Sequence, residues 1–186
     1  MTLKNLNISK EWTLFLDRDG VINYRHVGDY VKNPEDFKFI KGVPEAIKIF
    51  SELFGRILII TNQQGIGKGL MTENQLTEIH RHMLDEIEKS GGKIQKVYHA
   101  PSLIKDKSFR RKPQIGMGLH AKKDFPEIAF KKSLMAGDSK SDMEFGKRLG
   151  MKTVLIGTDN KIARTYPRIV DYWFSTLIDM AQNLIV

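Results

Sequence analysis

The stretch Trp-Thr-Leu-Phe-Leu-Asp-Arg-Asp-Gly at residues 12–20 decides the fold class of this chain. Its first half is a short apolar run, which is the pattern of a strand buried on both faces of a parallel sheet. Its second half places two carboxylates, Asp17 and Asp19, directly after that strand. In open α/β sheets, ligands bind beyond the carboxyl ends of the strands. The stretch therefore predicts both a sheet and a site at one edge of it.

The rest of the chain alternates short apolar runs with segments of helical period. After the first strand at 12–16, we predict strands at 56–60, 97–99, 134–136 and 153–156, and helices at 44–54, 72–90, 141–149 and 175–184. This alternation predicts an α/β fold, a three-layer doubly wound parallel sheet with helices on both faces. The 186 residues fit one domain, 1–186, and the 17 residues between Asp19 and Phe37 are too few for a large cap domain.

Composition excludes several classes of protein. The chain has no cysteine, which rules out disulfides, thiolate metal sites and a cysteine nucleophile. Residues 1–11 lack the apolar run of a signal peptide, and the longest apolar stretches are too short to span a bilayer. We therefore expect a cytoplasmic protein without a membrane partner.

The formal net charge of +8 is concentrated in one part of the chain. Residues 91–132 hold 11 basic and 3 acidic residues, whereas the remainder of the chain holds 19 of each. The segment contains few aromatic residues on which bases would stack, so it does not favour a nucleic-acid partner. We expect its cations to attract an anionic small molecule instead.

Polar and charged side chains also mark the later strand ends and one loop. They are, in chain order, Thr61, Asn62, Gln63 and Gln64 after the second strand, Arg111 and Lys112 before Pro113, and Asp138 and Asp142 after the fourth strand. Hydroxyl and amide donors suit phosphate oxygens. Pro113 disfavours helix in the residues before it, which predicts exposed cations there. Taken singly, each group also fits an ordinary turn, a helix cap or a solvated charge.

The two carboxylates after the first strand repel each other unless a cation or a shared proton reduces the repulsion between them. Mg²⁺ is suited to this because it binds carboxylate oxygens.

The four groups follow one another at separations of 44, 51 and 26 residues, counted from Asp17 through Thr61 and Lys112 to Asp138. In this order the chain resembles the haloacid dehalogenase-like (HAD) phosphohydrolases over about residues 12–158. Their four motifs correspond to Asp17-x-Asp19, Thr61, Lys112, and Gly137-Asp138 with Asp142.

Further stretches resemble one branch of that superfamily, the histidinol phosphatases and heptose bisphosphate phosphatases. They lie at 15–23, 28–31, 37–42, 61–69, 111–113 and 116–117. The phenylalanine-rich and tyrosine-valine elements are most similar to those of the heptose bisphosphate phosphatases, and this resemblance implies a heptose 1,7-bisphosphate substrate and a role in making lipopolysaccharide precursors. Histidinol phosphate is the near alternative. A polynucleotide 3′-phosphatase and a non-catalytic phosphate-binding domain are further alternatives.

The resemblance implies Mg²⁺-dependent hydrolysis of a phosphomonoester through an aspartyl phosphate. The implied catalytic residues are Asp17 as nucleophile, Asp19 as general acid and base, and Thr61 and Lys112 as ligands of the phosphoryl oxygens. The implied metal ligands are Asp17, the backbone carbonyl of Asp19, and Asp138. Asp142 would orient Lys112 or a water on the metal, with a solvent-facing helix position as the alternative. The role of Asp19 calls for a raised pKa or for closeness to the phosphate.

The implied substrate-binding residues are Arg111, the amide residues Asn62, Gln63 and Gln64, and His26 and Tyr30 in the loop after the first strand. We expect the other histidines, among them His80, to lie on helix surfaces or in loops. Most members of this branch carry a zinc site made of three cysteines and a histidine. Here only His99 lies near such a position, so we predict no zinc. We expect a monomer that takes a phosphorylated small molecule.

Overall fold

A computed structural model describes residues 3–26 and 28–185 of the protein. Its strands are β1 (Thr13–Leu16), β2 (Arg56–Asn62), β3 (Lys96–Ala100), β4 (Ser133–Gly137), β5 (Lys152–Ile156) and β6 (Tyr172–Phe174). They form one sheet in the order β3-β2-β1-β4-β5-β6, and every neighbouring pair is parallel. The predicted α/β fold with a doubly wound parallel sheet is confirmed. The first predicted strand lies in the middle of the sheet, between β2 and β4.

The helices are α1 (Val43–Leu53), α2 (Gln64–Gly67), α3 (Glu73–Lys89), α4 (Gly116–Asp124), α5 (Lys140–Arg148), α6 (Lys161–Thr165) and α7 (Leu177–Ile185). Short 3-10 helices lie at Leu3–Leu6, Pro34–Asp36, Ile104–Asp106 and Phe130–Lys132. The four predicted helices correspond to α1, α3, α5 and α7, with bounds that agree within about two residues. At the start of α3, Thr72 and Gln75 form the capping box that their spacing predicts.

Alternate side chains of the central strands enter two different cores. Leu14 and Leu16 of β1 pack in a cluster with residues of α1, α3 and α7, whereas Phe15 packs in a second cluster with residues of α4 and α5. Since successive side chains of a strand point to opposite faces, the helices cover both faces of the sheet. This is the predicted three-layer arrangement, and it explains why every residue of β1 is buried.

The carboxyl ends of β2, β1 and β4 lie side by side at one edge of the sheet. The polar groups that follow these strands are 17–19, 61–64 and 138–142 in the sequence. Parallel pairing therefore brings together segments that are far apart in the chain. No helix within 3–26 or 28–185 has both the length and the apolar character that crossing a bilayer demands.

Candidate active site

A cavity of about 420 Å³ opens at this edge of the sheet. The predicted site residues that line it are Asp17, Asp19, His26, Tyr30, Thr61, Asn62, Gln64, Arg111 and Lys112. Arg25 and Lys68, which the sequence reasoning did not select, line it as well. Three predicted residues, Gln63, Asp138 and Asp142, lie behind this lining and act on it through hydrogen bonds and ion pairs.

Three carboxyl groups form a cluster beneath the cavity. Single carboxylate oxygens of Asp17, Asp138 and Asp142 all lie within 4.8 Å of one another. Burial, and then the charge of Asp142, raises the pKa of Asp17 to about 6. Burial, and then the charge of Asp17, raises the pKa of Asp138 to about 7. The cluster is short of positive charge, and oxygen ligands of this kind are those that Mg²⁺ prefers. The residues present therefore fit a divalent cation.

Lys112 is the buried cation of this cluster. Its Nζ lies 2.9 Å from Asp17 Oδ1 and 2.6 Å from Asp142 Oδ1, and it donates to the carbonyl of Ile60 at 2.6 Å. Burial by itself lowers the pKa of Lys112, but Asp142 and Asp17 outweigh it and raise that pKa above its ordinary value. The predicted exposure of the cation before Pro113 is wrong for Lys112, because its side chain runs inward to the end of β2 and is 1% exposed.

Asp142 is fully buried, so the solvent-facing alternative for this residue is wrong. Its Oδ2 accepts hydrogen bonds from the backbone N–H and the hydroxyl of Ser139, at 3.0 and 2.6 Å. Its Oδ1 faces Lys112. One carboxylate therefore closes the first turn of α5 and also holds the ammonium group next to Asp17.

Two glycines allow the close approach of these segments. A Cβ atom on Gly20, where φ is +90°, would lie 2.0 Å from Asp138 Oδ2. A Cβ atom on Gly137 would lie 2.2 Å from the Cβ atom of Asp142. Atoms cannot approach so closely, so a side chain at either position displaces a carboxylate of the cluster. This is the physical reason for glycine at both positions.

The carboxylate of Asp19 is held by donors on several sides. Arg18 Nη2 donates to both of its oxygens, at 2.9 and 3.0 Å, and the amides of Asn23 and Gln63 donate at 2.9 and 2.8 Å. Burial opposes ionisation of Asp19, but Arg18 and these hydrogen bonds outweigh it and hold the pKa of Asp19 below its ordinary value. The raised pKa considered from the sequence is therefore not found, and Asp19 is ionised in this arrangement.

Gln63, predicted to bind substrate, points into the protein instead. The residue is 1% exposed, and its side-chain amide donates to Asp19 Oδ2 at 2.8 Å and to Thr61 Oγ1 at 2.9 Å. These contacts fix Asp19 and Thr61 relative to each other. Asn62, whose side chain reaches the cavity wall, exchanges two hydrogen bonds with the backbone of Lys112, at 3.0 and 3.1 Å. Both amides thus position the residues around them.

Arg18, which is not among the predicted site residues, and His80, which is predicted on a surface or in a loop, lie together in the interior. Arg18 is 1% exposed, and its Nη1 donates to Nε2 of His80 on α3 at 3.2 Å. His80 is buried rather than on a helix surface, and burial, followed by the charge of Arg18, lowers its pKa to about 3. A signal was present in the sequence, because His80 follows Leu76 by four residues and precedes Met83 by three, which places it on the apolar face of the helix.

On the outer side of the cavity, cations and aromatic groups lie together. Lys68 Nζ lies 5.4 Å from the centre of the Tyr30 ring, and Arg111 donates to the carbonyl of Ser102 at 3.0 Å. His26 Nε2 donates to the carbonyl of Asp36 at 3.2 Å. Arg25 extends from the same loop toward the acidic cluster. The cavity therefore has an acidic floor and a cationic outer wall, which suits an anionic ligand that reaches a cation at the floor.

A doubly wound sheet with an Asp-x-Asp loop, a Thr, a buried Lys and an acidic cluster at its carboxyl edge defines a HAD-like phosphatase, a phosphoric monoester hydrolase. The sequence model of the family described as polynucleotide kinase 3 phosphatase matches residues 14–167. The chain belongs to this family of HAD-like phosphatases, and the resemblance seen in the sequence is confirmed.

Curated relatives cover most of the chain. A D-glycero-alpha-D-manno-heptose-1,7-bisphosphate 7-phosphatase of Campylobacter jejuni is 38% identical over 152 residues, 82% of this chain and 86% of the relative. The enzyme of that name from Mycobacterium tuberculosis is 38% identical over 134 residues, 72% and 70% of the two chains. A D-glycero-beta-D-manno-heptose-1,7-bisphosphate 7-phosphatase of Helicobacter pylori is 32% identical over 170 residues, 91% and 96% of the two chains.

Solved structures show the same fold. A D,D-heptose 1,7-bisphosphate phosphatase of B. bronchiseptica, crystallised with magnesium and phosphate, aligns with a TM-score of 0.82 at 24% identity over 94% of this chain and 98% of that chain. A HAD-like phosphatase of Mesorhizobium loti aligns with a TM-score of 0.73 at 25% identity over 93% and 85% of the two chains.

Proposed function

We propose that the protein removes the 7-phosphate of D-glycero-manno-heptose 1,7-bisphosphate in a Mg²⁺-dependent reaction that passes through an aspartyl phosphate at Asp17. The observation that supports the substrate is the likeness to several relatives of that activity over most of the chain. The observation that supports the chemistry is the pairing of Asp17 with Lys112 at the floor of the cavity.

Each residue has a role that its surroundings support. Asp17 forms the new bond to phosphorus as the bond to the leaving oxygen breaks. Lys112 and Thr61 bind the phosphoryl oxygens, where charge is spread in the transition state. Asp17, Asp138 and the carbonyl of Asp19 would hold Mg²⁺, which when bound offsets the negative charge of the phosphoryl group.

Asp19 would protonate the leaving oxygen and then take a proton from the attacking water. The second step needs the ionised carboxylate that Arg18 and Gln63 favour. The first step needs a protonated Asp19, and the approach of a phosphate dianion raises the pKa of a neighbouring carboxyl group. The charge of the substrate thus raises the pKa of Asp19, which the protein alone holds low.

The outer wall of the cavity supports a substrate with a second phosphate. Arg111 and Lys68 line the cavity on different loops. The guanidinium of Arg111 suits a phosphate because it offers a planar pair of donors. His26, Tyr30 and Gln64 line the same cavity and would contact the sugar.

The remaining expectations stay predictions: one domain over 1–186, a monomer in the cytoplasm, no zinc, and no membrane or nucleic-acid partner.

One panel of substrates tests the proposal. Phosphate release is measured from both anomers of the heptose 1,7-bisphosphate, from histidinol phosphate and from a 3′-phosphorylated oligonucleotide, with Mg²⁺ and with EDTA. We expect one or both heptose bisphosphates to react fastest and EDTA to stop the reaction. Faster turnover of histidinol phosphate or of the oligonucleotide would reject the substrate, and full activity in EDTA would reject the metal.

A further inference from the structure

Arg25 contacts two of the groups that would bind the metal ion, one after β1 and one after β4. Its Nη2 donates to Asp138 Oδ1 at 2.8 Å and to the backbone carbonyl of Asp19 at 3.1 Å. One nitrogen therefore joins the end of β1 to the end of β4. The arginine side chain is 51% exposed, whereas that of Asp138 is 19% exposed, so the cation reaches the cluster from the cavity.

These contacts place a positive charge where the proposed function needs a metal ion. Asp138 and the Asp19 carbonyl are two of its three expected ligands. Mg²⁺ binds oxygen at about 2.0–2.1 Å in a nearly ideal octahedron. A guanidinium within hydrogen-bonding distance of the same groups competes for their lone pairs and repels the ion.

We propose that Arg25 is a built-in counter-cation of the acidic cluster, which competes with Mg²⁺ and leaves the cluster when the metal binds. The inference rests on the metal site of the proposed function and adds to it a residue that sets the metal affinity. By linkage, if Mg²⁺ weakens the contact of Arg25, then Arg25 weakens the binding of Mg²⁺ by the same factor. Its half-exposed side chain has room in the cavity to turn outward.

The competition predicts two effects of opposite direction for Arg25→Gln. Mg²⁺ should bind more tightly, because its competitor is gone. The protein in EDTA should melt at a lower temperature, because Asp138 loses the cation that offsets its repulsion from Asp17. Damage to the loop would instead weaken metal binding and stability together. The pair is partly exposed, so we expect about a three- to fivefold fall in the Mg²⁺ dissociation constant.

The test is calorimetric titration of the 186-residue chain with Mg²⁺, together with thermal melts in EDTA. Lys68→Gln is the matched control, because it removes one positive charge from the same cavity without contact to the acidic cluster. We expect its Mg²⁺ dissociation constant to stay within about twofold of wild type, as charge effects across solvent are screened.

Three results would overturn the inference: unchanged or weaker Mg²⁺ binding in Arg25→Gln, an equal gain in Lys68→Gln, or an unchanged melting temperature of Arg25→Gln in EDTA. The variant Asp138→Asn distinguishes a failure of the Arg25 inference from a failure of the proposed metal site. If the wild type does not bind Mg²⁺, or if Asp138→Asn binds it as well as wild type, the metal site itself is wrong.

Discussion

The ammonium group of Lys112 lies between two buried carboxylates, those of Asp17 and Asp142. Removing one partner of a buried ion pair leaves the other charged in a poorly solvated place, which costs about 3–5 kcal/mol. We expect Lys112→Met to lower the free energy of unfolding by about 3 kcal/mol, measured by urea denaturation in EDTA.

Lys96→Met is the control for Lys112, since Lys96 is half-exposed and pairs with Asp124 at the surface. Exposed pairs contribute about 0–1 kcal/mol, so this change should lie within that range. A loss below about 1 kcal/mol in Lys112→Met would show that the cluster does not depend on its cation.

Asp17→Asn tests the proposed role of Asp17 as the nucleophile. The amide keeps the shape of the side chain but cannot form an aspartyl phosphate, so we expect phosphate release to fall to background. The fold should persist, because burial and the charge of Asp142 already raise the pKa of Asp17 and so disfavour its ionised form. The neutral amide removes that unfavourable charge. Circular dichroism and the urea midpoint check the fold. Asp85→Asn, on the exposed face of α3, should keep full activity. Measurable turnover by Asp17→Asn at the wild-type rate would remove Asp17 from the mechanism.

At the scale of elements, Asp171 joins the edge strand β6 to the rest of the sheet. Its carboxylate accepts from the backbone N–H and the hydroxyl of Thr153 on β5, at 2.8 and 3.1 Å, and from Lys147 of α5 at 2.6 Å. Burial opposes ionisation, but Lys147 and Thr153 outweigh it and lower the pKa of Asp171 below 3.8. Three elements therefore depend on one ionised group.

The lowered pKa predicts a pH-dependent contribution. A group whose pKa falls on folding stabilises the protein above its unfolded pKa, and this stability is lost as the pH falls through the folded pKa. We expect Asp171→Asn to cost about 1–3 kcal/mol at pH 7. The difference from wild type in urea unfolding should shrink once the pH falls below 3.8. A difference that stayed constant across this range would assign the effect to packing rather than to charge.

The elements also show which patterns a sequence reveals. Strands β1, β2, β4 and β5 were predicted because each is an apolar run buried on both faces, and α3 because its cap and apolar stripe agree. The missed elements are short or weakly patterned. Strand β6 has three residues at the edge of the sheet, and α4 contains glycines at positions 116 and 118. Their structure depends on the neighbours that they pack against.

At the scale of the whole molecule, a bound cation should raise stability, because the acidic cluster exists only in the folded chain. Ligand present at 100 times its dissociation constant adds about 2.7 kcal/mol, which for a chain of this size corresponds to about 5–10 °C in Tm. We expect such a rise with Mg²⁺ in a thermal melt and none with NaCl at equal ionic strength. Asp138→Asn should lose most of the rise. An equal rise in that variant would place the ion elsewhere.

The folded structure shows which cations of the basic segment 91–132 have partners. Several cations of the 91–132 segment have partners: Lys96 pairs with Asp124, Lys132 with Glu11, and Lys122 donates to backbone carbonyls. Lys112 is buried, and Arg111 lines the cavity. Acidic partners therefore balance only part of the excess, and Arg111 adds positive charge to the wall of the cavity.

By itself, the sequence determined the fold class and most of the residues that line the site. It could do so because parallel strands align their carboxyl ends, so polar groups after buried runs must gather at one edge. Only the tertiary structure decided which of these groups touch. Arg25 meets Asp138 across 113 residues, and Arg18 meets His80 across 62. Such contacts depend on side-chain packing between distant segments, which no local pattern records, and they decide that Lys112 and Gln63 point inward while Arg111 faces the cavity.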